Sequence, residues 1–179
     1  MSKSLGNTIL AERFAQKYGP NALRYLILNS HYNQVINLSE ELIQQAVDYF
    51  QKIKNLLKKL NFYLYTEKIK VIKQKAPKRE EIINSLLNNL NTVKVLFFLE
   101  QTINSLNKSI DKKENDSEKL LGEISSFYFI LDLLGFKFYL TSYNLEIKSL
   151  IKNWEELRKK GNYRQADEVR KKLQEMDIL

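Results

Sequence analysis

Residues that end helices are scarce in this chain: five glycines and two prolines punctuate 179 residues. Glycine and proline are the strongest local breakers, so few places remain for turns. Apolar side chains recur every three or four positions along almost the whole length, as in helices packed on one face. The expected class is therefore all-α. From Leu42 to about Tyr65 the stripe is Leu42, Ile43, Ala46, Val47, Phe50, Ile53, Leu57, Leu60 and Leu64. Ser39 stands where it would cap that helix, and Asn21 where it would cap a shorter apolar run ending at Leu28. The residues ahead of the turn signal Tyr18-Gly19-Pro20 read as a short polar segment.

Further along, Arg79 to about Asn88 reads as a helix, and Asn91 or Thr92 caps another whose buried face runs from Val93 through Leu96 and Phe97 to Ile110. Phe97 and Phe98 cannot both point at one neighbour, so one of them is expected to meet a different helix. Ser117 reads as the cap of a helix ending at Gly135. About four helices around one core are expected over residues 21–135. An aromatic linker, residues 136–143, follows and is expected to close a core rather than to stack bases. A helical hairpin completes the chain: Asn144 to Lys160, a turn at Gly161-Asn162, and Tyr163 to about Met176. Ala166 is small enough to let its two helices approach closely.

The charge is localised. Between residues 52 and 79 stand ten basic side chains and one acidic one, a local excess of +9 against a net +8 for the whole chain. Residues 66–78, TEKIKVIKQKAPK, have too few large apolar residues to anchor a helix and read as a mobile, lysine-rich loop. Such a loop can follow a nucleic-acid backbone by displacing its counterions, and it can equally be a solvated connector. A second basic group, Lys159, Lys160, Arg164, Lys171 and Lys172, gathers at the hairpin turn and along the last helix, among acidic neighbours that offer ion pairs. The chain has no cysteine and one histidine, which excludes a disulfide framework and any zinc site built on thiolates. No apolar run approaches the roughly 20 residues that a membrane-spanning helix needs, and the expected setting is soluble and cytoplasmic, without a membrane partner.

Several short motifs stand in a fixed order. Met1-Ser2-Lys3-Ser4 is followed by Leu5-Gly6-Asn7, then by Asn21-Ala22-Leu23-Arg24, His31-Tyr32 and Asn37-Leu38-Ser39. Leu90-Asn91-Thr92 and Ala166-Asp167-Glu168-Val169-Arg170 come later. In this combination the chain resembles the C-terminal part of the cysteinyl-tRNA synthetases, a family of class I aminoacyl-tRNA synthetases. Met1 to Ser4 look like the last four residues of that family's Lys-Met-Ser-Lys-Ser signature. Asn21 to Arg24 look like its Asp-Ala-Leu-Arg element, with Asn in place of Asp. The later motifs are similar to its Asp-Leu-Asn-Thr-Pro helix start, here with Asn89 for Asp and Val93 for Pro, and to its Ala-Asp-x-x-Arg terminal helix.

The resemblance implies three parts: a signature-loop and stem-contact segment at 1–20, a helical bundle at 21–135, and a hairpin at 136–179 belonging to the anticodon-binding region. It implies ATP with Mg2+, and a Zn2+ that holds the substrate thiol, in an N-terminal catalytic domain outside this sequence. The sequence reads as a fragment beginning inside the signature loop, inactive alone, with tRNA(Cys) as its partner and a monomer as its state. Lys3 matches the second signature lysine, whose role would be to stabilise charge on the ATP phosphates. Arg24, Lys58, Lys59, Lys159, Lys160, Arg164 and Lys171 are the candidate tRNA contacts, and no metal ligand is assigned. Two other readings stay open: the matching part of a related ligase that joins cysteine to an amino sugar, and a helical module that receives another protein.

Overall fold

The computed structural model describes residues 10–36, 38–72, 74–113, 116–138, 140 and 142–179. Among the described residues the fold is all-helical, with 72% of them in helix and no strand. The helices are α1 (Ala11–Tyr18), α2 (Pro20–Leu28), α3 (Glu40–Thr66), α4 (Arg79–Leu87), α5 (Thr92–Asp111), α6 (Ser117–Leu133), α7 (Leu145–Lys159) and α8 (Tyr163–Glu175). They divide into two compact units: residues 1–54 with 72–137, and residues 55–71 with 138–179.

In the first unit, the segment expected to be merely polar forms α1. Its residues are good helix formers, and Phe14 gives it one buried anchor, packed against Ala22, Leu26, Ile43 and Ala46. Gly19, at φ +89°, separates α1 from α2. Pro20 then opens α2, where its missing N–H costs nothing. Asn21 is thus inside the helix rather than at its cap. Ser39 does cap α3, accepting from the Leu42 amide at 3.2 Å.

The rest of this unit is built on α5 and α6, whose facing sides bury Leu99, Ile103 and Leu106 on one and Ile124, Phe127 and Ile130 on the other, each at most 1% exposed. Residues 21–135 hold α2 to α6, with α4 and α5 separate as expected; the chain breaks between them where Asn89 and Leu90 are both left-handed. Asn91 caps α5 through the Lys94 amide. The cap of α6 is Asp116, accepting from the Lys119 amide at 3.0 Å, and Ser117 is the first helical residue. A carboxylate at that position also faces the positive end of the helix dipole. Phe98 is buried, whereas Phe97 is 57% exposed and meets solvent instead of another helix.

The C-terminus of α6 ends in a Schellman turn, with Phe136 N–H donating to Leu131 and Gly135 N–H to Asp132. Gly135 has φ +72°, and the Arg24 guanidinium lies alongside it, 3.5 Å from where a Cβ would stand, while donating to the Gly135 carbonyl. Phe136 packs edge-on to Phe50 with ring centroids 5.0 Å apart.

The described residues between α3 and α4 carry no helix, as expected of a loop, yet its C-terminal part is seated. Ala76 is buried, the Gln74 amide donates to the Glu118 carbonyl, and Pro77 lies over Gly122 of α6. A Cβ at Gly122 would stand 3.1 Å from the Pro77 ring. Gly122→Ala asks for only a small shift and regains helix propensity, about 1 kcal/mol. Gly122→Leu must lift the loop at Pro77. The expected result is several-fold faster tryptic cleavage after Lys75 and Lys78 in Gly122→Leu, and little change in Gly122→Ala.

In the second unit, the α7–α8 hairpin and residues 55–66 of α3 enclose a small core of Tyr143, Ile151, Val169 and Leu173, flanked by Phe62, Tyr65, Trp154 and Leu157. Phe62 meets Trp154 edge-on at 5.7 Å, and Tyr65 meets Tyr143 at 5.5 Å. The aromatic linker therefore serves packing at both ends, Phe136 in one unit and Tyr143 in the other. Leu145, expected on the buried stripe, is 86% exposed because it is the first helical residue, just past the Asn144 cap.

Burial pushes the Tyr143 hydroxyl up to about 12 from an ordinary 10. A tyrosine raised in the folded state contributes stability that is intact below pH 10 and is lost as pH climbs from 10 towards 12. Thermal unfolding between pH 9 and 12 should show this alkaline loss, and Tyr143→Phe should make it shallower.

Candidate nucleic-acid interface

The hairpin turn is set by two local devices. Gly161, at φ +73°, is the C′ residue of α7, closed by a Schellman pair in which Asn162 N–H donates to Leu157 and Gly161 N–H to Arg158. Asn162 then caps α8: its oxygen accepts from the Gln165 amide and its NH2 donates to the Gln165 side chain at 2.7 Å. The chain reverses within three residues, and Tyr163 emerges as the first residue of α8, 68% exposed.

Below the turn the two helices come together at Ala166, which is 3% exposed. A small side chain here leaves room, and a cavity of about 480 Å³ opens beside it. Trp154 and Arg158 line it from α7, and Tyr163, Asp167, Arg170 and Gln174 from α8, with Leu179 at one edge. The Arg158 guanidinium lies over the Trp154 indole at 4.8 Å from the ring centroid, an attraction that holds the cation in place.

The volume is in the range of ligand pockets, about 300–1,000 Å³. The lining supplies flat π surfaces, two guanidiniums suited to phosphate or to a carbonyl edge, and a carboxylate and an amide that can read N–H donors. An unstacked nucleobase with its phosphate uses each of these groups.

On the same hairpin, outside the lining, Lys159, Lys160, Arg164 and Lys171 are exposed, as is Lys172. Lys58 belongs to the same unit but is tied to Asp177 in an ion pair, and Lys59 is half-buried with interactions of its own. Arg24 lies in the other unit, committed to the Gly135 carbonyl. Met1, Ser2, Lys3 and Ser4 lie outside the described residues, as does Asn37. The second unit as a whole carries thirteen lysines and arginines against eight aspartates and glutamates, so a polyanion approaching it meets a favourable field.

A search by charge found the lysines and missed Trp154, Arg158, Tyr163, Asp167 and Arg170. The available signal was spacing: Trp154 and Arg158 one turn apart on α7, and Tyr163, Asp167 and Arg170 along one face of α8. No group of three or more histidines, cysteines, aspartates or glutamates that could hold a metal stands among the described residues.

Comparison with known proteins gives this arrangement its context. Over its whole length the chain is 38% identical to the cysteine–tRNA ligase of Mycoplasma mycoides subsp. mycoides SC and 39% identical to that of Mycoplasma capricolum subsp. capricolum. Over 97% of its length it is 33% identical to the enzyme of Onion yellows phytoplasma. It corresponds to a C-terminal region of the cysteine–tRNA ligases. The chain spans about 40% of the length of these curated relatives, 41%, 41% and 38% respectively. A family model described as the class I tRNA synthetase (C) catalytic domain matches residues 1–48, which in the described part takes in α1, α2 and the start of α3. This match falls wholly within the first unit, and the hairpin pocket lies wholly beyond it.

Proposed function

We propose that this chain is the tRNA-binding C-terminal region of an enzyme that joins L-cysteine to tRNA(Cys) at the expense of ATP, and that it grips the tRNA while an N-terminal domain performs the chemistry. The observation that carries this reading is the hairpin pocket, where two guanidiniums, an exposed tyrosine and a tryptophan converge in a cationic unit. Bases in tRNA loops are unstacked and available to aromatic and arginine faces, unlike those in a duplex. On this reading residues 21–135 dock the inner corner of the tRNA and residues 136–179 the anticodon arm, with residues 1–20 as signature loop and stem contact. Lys159, Lys160, Arg164 and Lys171 follow phosphates around the pocket; Lys58, Lys59 and Arg24 contribute charge less directly, since each is also engaged within the protein. Lys3 stabilises the ATP phosphates only when the N-terminal domain is in place.

On this reading the Mg2+ and Zn2+ that the family uses are held in that N-terminal domain; this chain has no cysteine with which to bind zinc through a thiolate. The chain alone is a monomer, acts in the cytoplasm and catalyses no ATP–pyrophosphate exchange. The related cysteine:amino-sugar ligase has no tRNA to hold, and the hairpin pocket favours the tRNA reading over it. The test is a titration of tRNA(Cys) into the chain from 50 to 200 mM salt. A protein neutralising several phosphates loses affinity steeply over that range, so a slope near zero, or exchange activity in the isolated chain, would count against the proposal.

A further inference from the structure

The first unit holds a cavity of its own, about 570 Å³, lined by the seated end of the α3–α4 loop and by α4, α5 and α6. That volume suits a small molecule. Pro77, Ile82 and Phe98 give it an apolar wall, of which Ile82 and Phe98 are buried. Its polar interior is made of three hydroxyls and one carboxylate. The Thr102 hydroxyl donates to the Phe98 carbonyl at 2.8 Å, the Ser126 hydroxyl to the Gly122 carbonyl at 3.0 Å, and the Ser105 hydroxyl to Glu123. Each hydroxyl has one proton, so all three donors are spent and only lone pairs are left to face the cavity.

Glu123 reinforces that bias. It is half-buried, and its second oxygen accepts from the Ser109 hydroxyl at 3.2 Å. No lysine or arginine among the described residues forms an ion pair with it. A carboxylate drawn partly out of water and balanced only by neutral hydroxyls favours a cationic partner. We infer that this cavity binds a small organic amine, with a primary ammonium on Glu123 and an apolar body against Phe98, Ile82 and Pro77. An ammonium brings three donors and no acceptor, which complements a lining rich in unused lone pairs. An anion would meet the Glu123 charge instead. The lysines of the lining, Lys75, Lys78 and Lys119, are all exposed; Lys75 holds Glu80 at 3.0 Å, and Lys119 has interactions of its own. With Asp116 and Glu118, also exposed, the lining carries three cations and three carboxylates, so a cation meets no net repulsion. The inference needs no RNA, and its failure would leave the tRNA reading standing.

The test is an NMR titration of the full chain with phenethylamine and, in parallel, with phenethyl alcohol, its neutral counterpart of the same shape. The expected result is saturable binding of the amine, in the millimolar range or tighter, with shifts at the amides of Gln74, Gly122 and Glu123. The alcohol should bind about ten-fold more weakly or less, because it lacks the charge-assisted bonds. Glu123→Gln should bring the amine down to the level of the alcohol, whereas Glu118→Gln, an exposed charge, should change it by no more than about two-fold. Tyr163→Ala should leave it unaltered. No saturable binding, equal affinity for amine and alcohol, equal losses from Glu123→Gln and Glu118→Gln, or shifts centred on the hairpin would each overturn the inference. If Glu123→Gln lowers the melting temperature, the comparison of amine with alcohol on the unaltered chain decides.

Discussion

Tyr163→Ala is expected to weaken tRNA(Cys) binding by about 5- to 150-fold, the equivalent of about 1–3 kcal/mol for one lost base–aromatic stack. The residue is 68% exposed and contributes little to the core, so the variant should melt with the parent. Tyr163→Phe keeps the ring and should keep most of the affinity. Arg158→Ala should produce a loss of similar size, since it removes both a phosphate-competent guanidinium and the cation held over Trp154. Lys159→Ala, by contrast, deletes one exposed charge and should mainly flatten the salt dependence, by close to one phosphate contact. Fluorescence anisotropy with labelled tRNA(Cys), run beside thermal melts, separates these outcomes.

Phe127→Ala is expected to cost about 3–5 kcal/mol, the range for deleting a buried ring whose cavity the surroundings cannot fill. Phe127 is fully buried at the centre of α6 and stands edge-on to Tyr128 at 5.5 Å. Against a total stability of about 5–15 kcal/mol, that loss leaves the first unit marginal or unfolded. Phe97→Ala in the isolated chain should change stability by no more than about 0.5 kcal/mol, as surface substitutions do. Urea titration followed by circular dichroism measures both. Comparable losses from the two phenylalanines would contradict the burial assignments on which the fold description rests.

The long helices were legible because their information is periodic and local. The stripe from Leu42 to Leu64 predicted α3, and Gly161-Asn162 predicted the hairpin turn almost to the residue. What escaped depends on contacts between elements. In α1 the sole buried residue is Phe14, too thin a signal to set against its polar composition. Caps slipped by one position at α6 because Asp116 and Ser117 are both good caps and only the chain's path chooses between them. The lysine-rich loop gave no sign that Pro77 would rest on Gly122, a match made across 45 positions of sequence. Of the pocket, the sequence displayed every residue and none of the convergence. Counting cations favoured Lys159 and Lys171, while the groups that line the cavity, Trp154, Arg158 and Tyr163, become a set only when α7 folds back on α8.

We propose recognition of a tRNA through the hairpin pocket. Its most direct test is a competition titration of the isolated chain, at constant salt, between tRNA(Cys) and the same tRNA with its anticodon bases replaced. The expected result is a clear preference for the natural anticodon that disappears in the Tyr163→Ala variant. Equal affinity for both tRNAs, unchanged by Tyr163→Ala, would contradict it.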